Sequence, residues 1–129
     1  MKVHQLMTRE VISVQAQTPL ADIIQLFTQY RVNNLPVIDA QQRVIGLVNQ
    51  LYMQTYADLM AAAHTTCTHV TAADVMSSDV ICVSENDRVS EVAWLVVQHG
   101  ADLLPVLRDG QLVGVVSRTD LIRLFALAG

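Results

Sequence analysis

The sequence predicts a mixed α/β (α+β) fold in which one β-α-β-β-α unit is used twice, and three observations predict it. Pieces of chain recur at an offset of 69 positions. Within each copy the apolar residues change from the tight clustering of a strand to the spacing of one helix face. Each copy also carries a proline-bearing apolar run, a turn signal and a second apolar run, which together read as a hairpin. The chain has 129 residues, of which 52% are apolar and 16% charged, enough to bury a sizeable core.

The repeat can be followed residue by residue. Leu6-Met7 and then Val11-Ile12-Ser13-Val14 return as Val75-Met76 and then Val80-Ile81-Cys82-Val83. Leu20, Ile23, Ile24 and Phe27 return as Val89, Val92, Ala93 and Val96, both sets on the i, i+3, i+4, i+7 spacing of a helix face. Leu35-Pro36-Val37-Ile38 returns as Leu104-Pro105-Val106-Leu107, and after a one-residue deletion Ile45-Gly46-Leu47-Val48 returns as Val113-Gly114-Val115-Val116.

In order, each unit should open with a short strand, Val11 to Val14 or Val80 to Val83. A helix follows, with Thr18 before Pro19 as N-cap in the first copy and Asp87 in the second. His99-Gly100 ends the second helix, because glycine tolerates left-handed backbone. Pro36 and Pro105 suit a strand start or edge, since proline donates nothing to a ladder. Asp39-Ala40-Gln41-Gln42 and Arg108-Asp109-Gly110 are the hairpin turns. Residues 1–63 form the first repeat and 72–129 the second, joined by a linker at 64–71 within the small, polar stretch from Ala61 to Ala73.

The helices that close the copies are broadly apolar. Leu121, Ile122, Leu124, Phe125 and Leu127 surround one charge, Arg123, and Leu51, Tyr52, Met53, Tyr56, Leu59 and Met60 make a similar face. Such helices need cover on more than one side, so self-association is expected.

The stretch richest in chemistry is Gly114-Val115-Val116-Ser117-Arg118-Thr119-Asp120, where a strand hands two hydroxyls and a carboxylate to the start of a helix. Unpaired backbone N–H groups at a helix start can hold an anion or a polyol, so this is a candidate ligand site. Ser117 with Asp120 three positions on is equally a capping-box pair that only starts the helix.

Other classes of function find little support. The net charge is −4 with only 8 Lys and Arg, so no broad basic face exists for nucleic acid. No segment reaches the length of a membrane span, and Met1 to Glu10 lacks an apolar leader core, so a soluble, cytoplasmic protein is expected. Cys67 and Cys82 are too few for a disulfide framework. His64, Cys67 and His69 have the spacing of metal ligands, but a fourth ligand is lacking nearby and a solvated linker is the simpler reading. His99 fits a helix C-terminus better than catalysis, Met7 and Met76 read as packing residues, and Trp94 as a helix-packing or dimer-interface residue. With no nucleophile and base pair, no paired carboxylates and no Gly-rich phosphate loop, an enzyme is not expected.

Two such units, each with a hydrophobic-Pro-Val strand and a Gly-hydrophobic-hydrophobic run, resemble the paired cystathionine β-synthase domains, the CBS pair or Bateman module. The likeness covers about Val3 to Ala63 and Val70 to Leu127. It implies two repeats packed with pseudo-two-fold symmetry, modules that dimerise, and a regulatory role in which an adenine nucleotide (AMP, ADP, ATP or S-adenosylmethionine) binds between repeats as a ligand, with no cofactor required. By position, Gly114 to Asp120 matches the family's Gly-x-x-Ser/Thr-x-x-Asp motif. Asp120 would then accept from the ribose hydroxyls, and Ser117 and Thr119 would donate to phosphate. The base would lie between Asp102-Leu103-Leu104-Pro105 and the segment holding Thr8, Val11 and Ile12. The first copy departs from the motif with Asn49-Gln50-Leu51-Tyr52, so one good site per chain is expected, with Asn49 acting as a cap. The same departure supports the alternative of a structural or dimerisation module with a vestigial site.

Overall fold

The computed structural model describes residues 1–66 and 69–126 in full, and 127 and 128 as backbone. Cys67 and the side chain of Leu127 lie outside the described residues. The elements are β1 (Val14–Gln15), α1 (Leu20–Tyr30), β2 (Asn34–Ile38), β3 (Val44–Asn49), α2 (Gln50–Ala62), α3 (Ala72–Val75), β4 (Val83–Ser84), α4 (Val89–His99), β5 (Leu103–Arg108), β6 (Gln111–Ser117) and α5 (Arg118–Ala128), preceded by a 3₁₀ turn at Val3–Gln5. The β-α-β-β-α order is thus present twice.

The chain divides into two compact units that differ from the sequence repeats. One holds residues 12–80; the other holds residues 1–11 together with 81–129. Each contains a three-stranded sheet, β1-β2-β3 or β4-β5-β6, with a parallel first pair and an antiparallel hairpin. In each, the segment that opens one repeat is laid on the sheet of the other. Thr8 exchanges backbone hydrogen bonds with Val115 at 2.9 and 3.0 Å, and Ser77 does the same with Leu47 at 2.9 Å each way.

Those straps account for the prolines. Pro36 faces Leu47 and Pro105 faces Val115 across the hairpins. Because Leu47 and Val115 aim their N–H and C=O groups at the straps, each proline sits at a pair that needs no hydrogen bond across the hairpin. The prolines therefore stand inside a central strand, not at the start or edge expected, where the missing donor costs nothing.

Other details also move. The first strands are shorter and later than expected, because only Val14 and Gln15 pair with Val37 and Ile38, and only Val83 and Ser84 with Val106 and Leu107. Thr18 and Asp87 are not the caps; Pro19 and Arg88 hold those positions without side-chain bonds. Instead Thr18 Oγ1 accepts from the Gln15 N–H and Asp87 Oδ2 from the Ser84 N–H, both at 2.9 Å, closing the turns before the helices. The first helical N–H groups find partners on the straps, with Leu20 donating to the Val70 carbonyl and Val89 to the Met1 carbonyl, each at 3.0 Å.

The turns follow their residue types. Asp109 and Gly110 both have positive φ, 51° and 79°, as a two-residue hairpin turn requires. Gly100 ends α4 in the left-handed region, while Arg31 takes that place at the end of α1. Asp39 ties the other hairpin by accepting from the N–H groups of Gln41 and Arg43 and from the Arg43 guanidinium. The Arg43 N–H is the main reason the Asp39 carboxyl titrates below its ordinary range.

Each unit has its own core. Leu20, Ile23, Phe27, Leu35, Val37, Val48 and Met53 pack with Val70, Ala72 and Val75 in one. Val89, Val92, Val96, Leu104, Val106, Val116 and Leu121 pack with Val3 and Met7 in the other. Val70 and Ala72, from the stretch read as small and polar, are therefore core residues, and Ala61 and Ala62 continue α2. The closing helices bury only one side: Leu51, Tyr52, Leu59, Ile122 and Phe125 remain exposed.

Candidate functional site

In the unit of residues 1–11 and 81–129, β6 ends at Ser117 and α5 begins at the next residue, so the strand fixes where the helix start points. The Asp120 N–H donates to Ser117 Oγ at 3.0 Å, and the Ser117 N–H donates to Asp120 Oδ2 at 3.2 Å. That reciprocal pair is the capping box read from the sequence. It leaves Asp120 Oδ1 without a hydrogen bond among the described residues, and the Ser117 hydroxyl free to donate its own proton. Both side chains are half-buried, and Thr119 is exposed.

The strand beside this junction is locked to it. The Arg118 N–H donates to the Asp102 carbonyl oxygen at 2.9 Å, and the Arg118 guanidinium meets Asp102 Oδ1 at 2.6 Å. Leu104 and Pro105 are buried in the sheet, Leu103 is half-buried, and Asp102 is exposed. Thr8 lies along the other side of β6, at Val115. One unit therefore carries Thr8, Asp102, Leu103, Leu104, Pro105, Ser117, Thr119 and Asp120 around the end of β6. Val11, half-buried, is the last residue of the same unit, whereas Ile12 belongs to the other and packs against its core. Arg118 is the residue that the sequence reading passed over; its place between Ser117 and Thr119 was the available signal.

The unit of residues 12–80 repeats the backbone and changes the chemistry. The Gln50 N–H donates to the Asn33 carbonyl at 2.8 Å, as Arg118 does to Asp102. Asn49 Oδ1 accepts from the Tyr52 N–H at 3.1 Å, the cap expected of it, and Asn49 Nδ2 donates to Asn34 Oδ1 at 3.2 Å. Where the first junction has the carboxylates of Asp102 and Asp120, this one has Asn33 and an exposed Tyr52. Its polar groups are neutral, and none offers a bidentate acceptor to a diol.

Two further features frame the site. Among the described residues no helix is long and apolar enough to cross a membrane, and no cluster of three or more His, Cys, Asp or Glu could hold a metal. Cys82 is half-buried, and burial pushes its thiol above the ordinary range, so it stays protonated at neutral pH.

Comparison with known proteins places this geometry. The model of the CBS domain matches residues 3–51 and again 72–127. An inosine-5'-monophosphate dehydrogenase of Methanocaldococcus jannaschii is 24% identical over 123 residues, which are 95% of this chain and 23% of that protein. The chain thus spans under a quarter of that relative's length. Among solved structures, CBSX2 in complex with AMP superposes with a TM-score of 0.82 at 23% identity, over 98% of this chain and 97% of that one; CBSX2 is a CBS-pair protein from Arabidopsis thaliana. The CBS domain pair of protein MJ0100, in complex with 5'-methylthioadenosine and S-adenosyl-L-methionine, superposes with a TM-score of 0.84 at 20% identity, over 100% and 98%. With both repeats matched by the family model and the fold shared across the full length, this chain belongs to the CBS domain family, as a tandem pair.

Proposed function

We propose that this chain is a regulatory module that senses an adenine nucleotide at the start of α5, with no catalytic role and no required cofactor. The observation that carries the reading is the state of Asp120: one oxygen is spent on the helix cap and Oδ1 is left over, beside an exposed Thr119 and a Ser117 hydroxyl able to donate. A carboxylate oxygen suits the ribose hydroxyls, and two hydroxyl donors at a helix start suit a phosphate or carboxylate tail. The base would rest on the segment from Leu103 to Pro105 and near Thr8 and Val11. Support comes from the family relatives CBSX2, solved with AMP, and MJ0100, solved with 5'-methylthioadenosine and S-adenosyl-L-methionine. The neutral junction at Asn49 and Tyr52 supports a stoichiometry of one nucleotide per chain. Calorimetric titration with AMP, ADP, ATP and S-adenosylmethionine tests the reading. One of them should bind, and the absence of both heat and thermal shift with all four would remove the claim.

The module would act as a homodimer, its exposed Ile122 and Phe125 covered by a second copy. A second reading, a dimerisation module whose site has lapsed, draws on one observation: capping alone accounts for the contacts between Ser117 and Asp120. It expects an Asp120→Ala chain to retain every function of the natural one.

A further inference from the structure

We infer that Asp102 is a selectivity residue: by holding the Arg118 guanidinium, it sets the site against polyphosphate tails and in favour of an adenine nucleoside with a lightly charged or cationic tail. This inference rests on the nucleotide reading above and names the ligand class within it.

Charge at the end of β6 decides which tail is accepted. Two carboxylates, Asp102 and Asp120, stand there, and the guanidinium between Ser117 and Thr119, that of Arg118, is already engaged with Asp102 at 2.6 Å. Arg9, next to Thr8 on the strap, is directed elsewhere. Its guanidinium donates to the His4 carbonyl at 3.2 Å and lies close enough to Glu85 to help hold that carboxyl low. A phosphate tail arriving at the start of α5 therefore meets donors from Ser117 and Thr119 but no uncommitted cation from Arg118 or Arg9.

Arg118 and Asp102 are each about half exposed, 51% and 48%, so their pairing is weak enough to be exchanged. A phosphate that shared the guanidinium, or took it over, would stand directly beside the Asp102 carboxylate. Like-charge juxtaposition is what interfaces use to reject a wrong partner, and the penalty grows with each phosphate added. A monophosphate needs little beyond the hydroxyls and the helix start, and a sulfonium tail is attracted by the same carboxylates. In the other unit Asn33 replaces Asp102 and Gln50 replaces Arg118, so this charge filter is absent there.

The test is calorimetric titration of AMP, ATP and S-adenosylmethionine into the full chain at fixed ionic strength without magnesium, using wild type, Asp102→Asn, Arg118→Gln and the double variant. Wild type should bind both AMP and S-adenosylmethionine more tightly than ATP. Asp102→Asn should raise ATP affinity by about fivefold, the size of a released surface ion pair, and lower that of S-adenosylmethionine. Arg118→Gln, which leaves Asp102 unpaired, should move the other way, and the double variant should lose the gain for ATP. Wild type binding ATP as tightly as AMP, or an unchanged ATP-to-AMP ratio in Asp102→Asn, overturns the inference. Should Asp102→Asn not fold, equal changes for all three ligands in Arg118→Gln overturn it as well. Binding of none of the three to wild type, by contrast, would count against the nucleotide reading itself, and the selectivity would fall with it.

Discussion

The Met7 thioether covers Gly114 so closely that a Cβ on that glycine would lie 2.6 Å from the sulfur and 3.0 Å from the Thr8 carbonyl oxygen. Met76 covers Gly46 in the same way, with the Ser77 carbonyl 3.1 Å from the added carbon. Each strap thus needs a bare strand beneath it.

Gly114→Ala should therefore destabilise the fold by about 1–3 kcal/mol, the usual cost of overpacking a closed core. Backbone as well as a flexible side chain is in the way, so Met7→Ala in the same chain should recover only part of the loss. Urea denaturation of the four members of that cycle measures it. A Gly114→Ala chain as stable as wild type would mean that the strap does not press on β6.

The capping box separates stability from binding. Ser117→Ala removes the acceptor for the Asp120 N–H and should cost about 1 kcal/mol of stability. Asn49→Ala should do the same in the other unit. Asp120→Ala should in addition weaken nucleotide binding by about 10-fold to 100-fold, the value of a charge-assisted hydrogen bond, whereas Asn49→Ala should leave binding unchanged. Thermal midpoints and titrations on the same samples distinguish the two effects.

The acid side of the stability curve should carry the mark of Glu85. Its side chain accepts from the Arg108 guanidinium, the main cause of a carboxyl held below its ordinary range, with His4 and Arg9 adding smaller attractions. A carboxyl lowered by folding contributes stability above its unfolded pKa, and that contribution is lost as pH falls through the folded value. Glu85→Gln should thus be less stable than wild type at neutral pH, with the gap closing in acid. Denaturation midpoints followed from neutral pH to about pH 3 check this, and a gap constant across that range would show that the pair is silent.

Exposed apolar residues on α5 give a direct assay of assembly. Ile122 and Phe125 are 61% and 50% exposed, whereas Leu124 packs on the core and is a poor place for a charge. Ile122→Glu with Phe125→Lys should halve the mass seen by light scattering while leaving the circular dichroism intact. A wild-type monomer would remove the homodimer, and a dimer that survives both changes would move its interface elsewhere.

The repeat, the hairpins and the helix faces were legible because they rest on local periodicity. Leu20, Ile23 and Phe27 bury as their spacing says, and Asp109-Gly110 turns as its residues demand. What stayed hidden depends on contacts between distant segments. Nothing in Thr8 or Ser77 announces that it will pair with a strand more than a hundred residues later or thirty residues earlier. Without the straps, Pro36 and Pro105 read as edge residues and Thr18 and Asp87 as caps, although strap carbonyls serve those helix starts. At the site, Ser117 and Asp120 were legible from their spacing, while the Asp102 to Arg118 ion pair required β5 and β6 to be placed in register first.

The crossing of the straps also bears on ancestry. In this chain each repeat's opening segment lies on the other repeat's glycine, so a repeat standing alone would leave its own strap unplaced and its own sheet edge uncovered. Two identical copies could satisfy each other by trading these segments, so the present chain reads as such a pair fused end to end. Once joined, two copies need not stay alike, and here one junction has carboxylates where the other has asparagine and tyrosine.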